Sequence, residues 1–219
     1  MNKFDEITDI ILVMLFVLAV LSLGGYLADI FHLNPIWLPQ ILLFSLAVTL
    51  QRTRLFDHSV KSLKGFCTGL IFAPFATAAA FTASLLSSTV IPPSPEYAEK
   101  IESLRPSNLT QFLTAIAFSL FLVAPAEEII FRGIIHMKLR KIVGARKALV
   151  CSSTIFALSH FDVARILPTF VIGMFTAYSV NRTNSITPAI IIHGTNNTAY
   201  FVLSFLSSST FATEELSLP

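Results

Sequence analysis

The chain has 219 residues, of which 54% are hydrophobic and only 13% charged, with a mean hydropathy of +0.73. Soluble domains carry roughly 25% charged residues, so the composition excludes an ordinary soluble enzyme. The net charge of +2 and scattered Lys and Arg residues form no nucleic-acid motif, and no nucleic-acid partner is expected.

The chain-order reading gives seven apolar segments, near 7–28, 33–51, 65–91, 109–136, 145–161, 164–181 and 185–208. Several are about 18–25 residues with few charges, the length that crosses a hydrocarbon core of roughly 30 Å. The alternating ten-residue pattern of a membrane barrel is absent. The expected fold class is therefore all-α: a polytopic membrane bundle of about seven transmembrane helices around an intramembrane polar site. The expected organisation is N-terminal transmembrane helices over 1–108, core helices over 109–208 and a short tail over 209–219. The acidic leader, with Asp5, Glu6 and Asp9, argues against a cleaved signal peptide. Cys67 and Cys151 lie in apolar segments and read as small core residues. Pro39, Pro74, Pro125, Pro168 and Pro188 interrupt helices, and each removes a backbone donor. Pro125 lies two residues before Glu127 and frees a carbonyl one turn earlier.

Loop charge sets the expected orientation. Residues near 51–64 carry Arg52, Arg54, Lys61 and Lys64, and residues near 137–147 carry Lys138, Arg140, Lys141, Arg146 and Lys147. Both loops are expected in the cytoplasm, with the N-terminus inside. The loop over 92–108, with Glu96, Glu99 and Glu102 against Lys100 and Arg105, and the tail with Glu214 and Glu215 fall outside.

The most informative residues are Glu127 and Glu128, adjacent carboxylates inside an apolar segment. An ionisable group at the bilayer centre costs roughly 2.5–3.5 kcal/mol on insertion scales, so it is paired, functional or both. Adjacent helical residues point about 100° apart. Glu128 shares a face with Arg132 at i,i+4 and can pair with it. Glu127 shares its face with Ile130, Phe131 and Ile134, lacks a local partner, and suits a general base. Phe156 and His160 share a face on the next segment. His193 and Asn197 share one on the last, where Gly194 permits close helix approach. Two histidines and a carboxylate also make a common zinc set, here Glu127, His160 and His193. Neither His-Glu-x-x-His nor Gly-x-Ser-x-Gly occurs.

Glu-Glu-x-x-x-Arg over 127–132, Phe-x-x-x-His over 156–160 and His-x-x-x-Asn over 193–197, in this order, resemble the CPBP family of CAAX prenyl endopeptidases and bacteriocin-processing (Abi) proteins. Each motif alone is weak; three in order on separate segments are specific. The resemblance covers about 109–208 and implies an all-helical intramembrane endopeptidase. It assigns Glu127 as the catalytic carboxylate, with His160 holding the attacking water. It places His193 and Asn197 at the oxyanion, with Glu128, Arg132 and Phe156 in support. The residues admit a divalent metal such as zinc, and equally a metal-free glutamate mechanism.

The expected partners are the lipid bilayer and a membrane-associated peptide or protein substrate, either CAAX-type or a leader peptide. The short chain points to a prokaryotic cell membrane. Two other readings stand beside the protease: a non-catalytic immunity or scaffold factor of the same family, and a small ion-coupled transporter, since membrane carboxylates also mark proton relays. One depth mismatch accompanies these segments: Glu127 falls toward the cytoplasmic end of its segment and His160 toward the outer end of the next.

Overall fold

The computed structural model describes residues 3–34, 36–53, 55 and 63–215, with the backbone alone at 96, 97, 100 and 208–215. Arg54 and Lys61, and the side chains of Glu96, Lys100, Glu214 and Glu215, lie outside the described residues. The described chain is helical, without strands. Its elements are α1 (Lys3–Ile30), α2 (Trp37–Gln51), α3 (Leu63–Val90), α4 (Pro95–Ser103), α5 (Leu109–Val143), α6 (Ala145–Leu158), α7 (Val163–Thr183) and α8 (Thr187–Glu215).

Each of the seven expected segments corresponds to a helix, and α4 adds a short one in the 92–108 loop. Among the described residues, α1, α3, α5 and α7 are long and apolar enough to cross a membrane, and α2 is a shorter apolar helix. The outer surface is apolar: Phe16, Leu15, Phe75, Leu86 and Phe121 are each more than half exposed. The interior holds Glu6, Glu127, Glu128, Arg132, His136 and Lys138. Soluble monomers do not expose apolar surface on this scale, whereas lipid tolerates it and penalises unsatisfied polar groups. The chain is an integral membrane protein. Cys67 and Cys151 are exposed on the outside of the bundle rather than in the core. An apolar thiol facing lipid needs no buried seat.

Small residues draw the core helices together. On α3 the buried positions are Gly65, Gly69, Ala73, Ala76, Ala80, Ala83 and Ser87. That seam repeats every three or four residues and brings α7 and α8 against α3. Gly24 on α1 does the same for α2, since an added Cβ would lie 2.7 Å from Pro39 Cα. On the same α1, Lys138 Nζ reaches Glu6 Oε2 at 2.9 Å and Asp9 Oδ2 at 2.6 Å. The acidic leader thus ties α1 to the C-terminal part of α5.

The depth mismatch disappears because α5 does not end near 136. It continues to Val143, and Gly144, with φ of +81°, turns the chain into α6. That left-handed conformation favours glycine. Glu128 stands 16 positions before Gly144 and His160 stands 16 after it. Arg132 and Phe156 stand 12 before and 12 after. In an antiparallel hairpin, equal offsets at about 1.5 Å per residue bring such pairs to the same depth. Lys138 is correspondingly a buried helical residue rather than a loop charge.

Candidate active site

The site is built on α5. Asn108 caps that helix by accepting from Gln111 N at 2.9 Å. Farther along, the helix widens into π-helical turns at Ser119–Val123 and Ile129–His136, on either side of Ala124–Glu128. Pro125, lacking an N–H, follows the first of these, consistent with the carbonyl it was expected to free. The two glutamates leave the helix between the wide turns and point to different surroundings.

Glu128 is fully buried. Its Oε2 lies 3.2 Å from Arg132 Nε, and its Oε1 accepts from His193 Nδ1 at 2.8 Å. Arg132, also fully buried, donates to Thr176 Oγ1 from Nε at 2.9 Å and from Nη2 at 2.6 Å. Its guanidinium carbon stands 4.2 Å from the centre of the Phe156 ring, a cation–π contact. Phe156 also packs edge-on to Phe131, His160 and His193, with ring centres 5.0, 5.0 and 5.7 Å away. Glu128, Arg132, Phe156, Thr176 and His193 therefore form one packed unit spanning α5, α6, α7 and α8.

Glu127 has looser company. Its Oε2 lies 3.9 Å from His193 Nε2, and its Oε1 lies 3.5 Å from Gln40 Nε2. It lines a cavity of about 460 Å³ together with His160, Ser159, Gln40 and Arg165. His160 donates from Nδ1 to Phe156 O at 2.9 Å. A carbonyl only accepts, so Nδ1 carries the hydrogen and Nε2 of the neutral ring keeps its lone pair. The Glu128 carboxylate fixes His193 in the same tautomer. Asn197, one turn beyond His193 on α8, lines a second cavity of about 470 Å³ with Trp37, Tyr200, Gln40 and Arg165. The two cavities share Ile36, Gln40 and Arg165. On α8, an added Cβ at Gly194 would lie 2.8 Å from Leu120 Cδ2, the close approach expected at that position.

Residues 109–199 match the family described as type II CAAX prenyl endopeptidase, Rce1-like. That segment is Rce1-like. It contains all three motifs and bears out the CPBP resemblance. No curated protein and no solved structure matches the chain significantly. The Rce1-like segment supplies Glu127, Glu128, Arg132, Phe156, His160, His193 and Asn197, while Gln40 comes from α2, outside it.

Gln40 and Arg165 escaped the sequence analysis. The available signal for Gln40 was a lone amide amid the apolar residues 36–44, next to Pro39. Arg165 sits near the start of α7, and no local pattern set it apart from other charges. A further buried cluster was also missed: His136 Nδ1 meets Ser152 Oγ at 2.9 Å and Nε2 meets Asn181 Oδ1 at 3.1 Å. It has the order of a nucleophilic triad. His136 and Ser152 are fully buried and border neither cavity, and the cluster joins α5, α6 and α7.

For a metal, the tautomers are suitable: both histidines anchor Nδ1 on an oxygen and keep Nε2 for a ligand. Among the described residues, no three His, Cys, Asp or Glu side chains are gathered closely enough to hold an ion.

Proposed function

We propose that this protein is an intramembrane endopeptidase that hydrolyses peptide bonds of membrane-associated substrates with water activated by Glu127. One observation carries the reading: adjacent carboxylates are divided between a packed ion-pair unit and a cavity wall, and the cavity-lining one shares its cavity with His160. The Rce1-like match over 109–199 supports a protease-family role.

Hydrolysis divides among the residues as follows. Water accepts orientation from His160 through the Nε2 lone pair and gives a proton to Glu127. The hydroxide formed adds to the scissile carbonyl carbon. The C–N bond then breaks, and the proton on Glu127 passes to the leaving amine. Asn197 Nδ2 donates to the developing oxyanion. His193 donates there only as the imidazolium, because its Nδ1–H is committed to Glu128 and Nε2 of the neutral ring is an acceptor. Glu128 and Arg132 hold His193 and Phe156 in place. No step here passes through a metal.

Cleavage of a peptide library by the detergent-purified protein tests the reading, beside Glu127→Ala and His193→Ala, with metal content measured on the same samples. Wild-type cleavage abolished by both substitutions is the expected result. Stoichiometric metal lost with His193→Ala would establish a metal-dependent mechanism through the same residues. Cleavage that survives Glu127→Ala would overturn the assignment of the base.

A further inference from the structure

The two oxygens of Glu127 meet different groups, and one group comes from the other half of the chain. Oε1 faces Gln40 Nε2 at 3.5 Å, a long hydrogen bond. The orientation of the amide follows from this neighbour, since the reversed amide would set oxygen against a carboxylate oxygen. Gln40 Oε1 is buried and has no donor among the described residues. A half-satisfied amide beside the core is less favourable than an apolar side chain of the same size. Structure alone therefore gives little reason for glutamine at this position. Its place does: Gln40 borders both the cavity of Glu127 and His160 and the cavity of Asn197. Helix α2 packs directly on the Ala124–Glu128 turn, and the Gly24–Pro39 contact holds α2 close on α1.

We propose that Gln40 is a positioning residue of the hydrolytic site, supplied by α2 from outside the Rce1-like segment, whose amide N–H holds the Glu127 carboxylate toward the junction of the two cavities. This rests on the proteolytic reading above. It makes the N-terminal helices part of the site rather than a membrane anchor for it. A carboxylate left free to rotate loses the alignment that proton transfer requires, and misplacement of reacting groups by about 1 Å costs on the order of a hundredfold in rate.

The test is steady-state cleavage and thermal unfolding of Gln40→Met, Gln40→Glu and Glu127→Ala beside wild type. Methionine keeps the volume and removes the donor. For it, kcat is expected to fall roughly ten- to a hundredfold with KM within about twofold, and the thermal midpoint to stay level or rise. Gln40→Glu sets a second carboxylate against Glu127 and is expected to lose more than Gln40→Met. A merely structural glutamine would instead lower the midpoint. Wild-type kcat in Gln40→Met, or a loss that follows a lowered midpoint, overturns the inference. If Glu127→Ala is inactive while Gln40→Met is not, only the role of Gln40 fails. If Glu127→Ala still cleaves, the assignment of Glu127 as the base fails, and the role of Gln40 fails with it. Should wild type cleave none of the peptides, the midpoints of Gln40→Met, Glu127→Ala and the double variant decide. Non-additive shifts support the contact, and additive ones overturn it.

Discussion

Glu127 and Glu128 are adjacent in sequence, but they inhabit different regions of the molecule. Glu128 is fully buried and contacts Arg132 and His193 at 3.2 and 2.8 Å. Glu127 borders a cavity, with Gln40 Nε2 at 3.5 Å and His193 Nε2 at 3.9 Å from its carboxylate oxygens. The difference shows how one helix turn carries a structural acid and a reactive one. About 100° of rotation per residue sends one carboxylate into the packed interior and the other to the cavity. Fixed partners stabilise a charge, whereas a base must keep an acceptor for the proton it takes.

The contrast is broken most sharply at Glu127 itself. Glu127→Gln preserves shape and removes the base, so cleavage should fall by about 10²–10⁴-fold while the thermal midpoint holds. Kinetics and unfolding on one preparation check both halves. A midpoint that falls steeply would put Glu127 in the structural class with Glu128. The converse change is Arg132→Ala, which strands a buried carboxylate. It should destabilise the fold by about 3–5 kcal/mol, read as lost folded protein in detergent. Survival of a well-folded Arg132→Ala protein would show that Glu128 does not depend on its ion pair.

Smaller effects sharpen the same comparison. Asn197→Ala removes a donor from the second cavity and should lower kcat about 10²–10³-fold with little change in folding. An unchanged kcat would detach that cavity from the chemistry. Gly24→Ala brings a methyl group within 2.7 Å of Pro39 Cα and must displace α2. Overpacking of this kind costs about 1–3 kcal/mol. The displacement should also lower kcat if α2 positions Glu127 through Gln40. Loss of stability without loss of kcat would confine α2 to scaffolding.

Much of this arrangement was legible in the sequence. Apolar runs marked seven helices, and i,i+4 spacing anticipated the Glu128–Arg132 pair and the Phe156–His160 contact. The end of α5 was not legible. Lys138, Arg140 and Lys141 read as loop charges, but Lys138 is a buried helical residue held by Glu6 and Asp9, more than a hundred positions away. Hydropathy alone cannot show that a charge has a distant partner. The exposed cysteines have a related cause: in lipid, an apolar side chain gives no sign of facing inward or outward.

By itself, the sequence determined the membrane class, the helical segments and the motif residues, because hydropathy and helical periodicity act over a few turns. Tertiary structure alone decided which polar residues share a cavity. It set the depth of His160 through the hairpin at Gly144, tied both histidines to oxygen partners, and brought Gln40 from α2 to Glu127. Those outcomes depend on the mutual packing of separate helices, where long-range contacts and buried pairing outweigh local pattern.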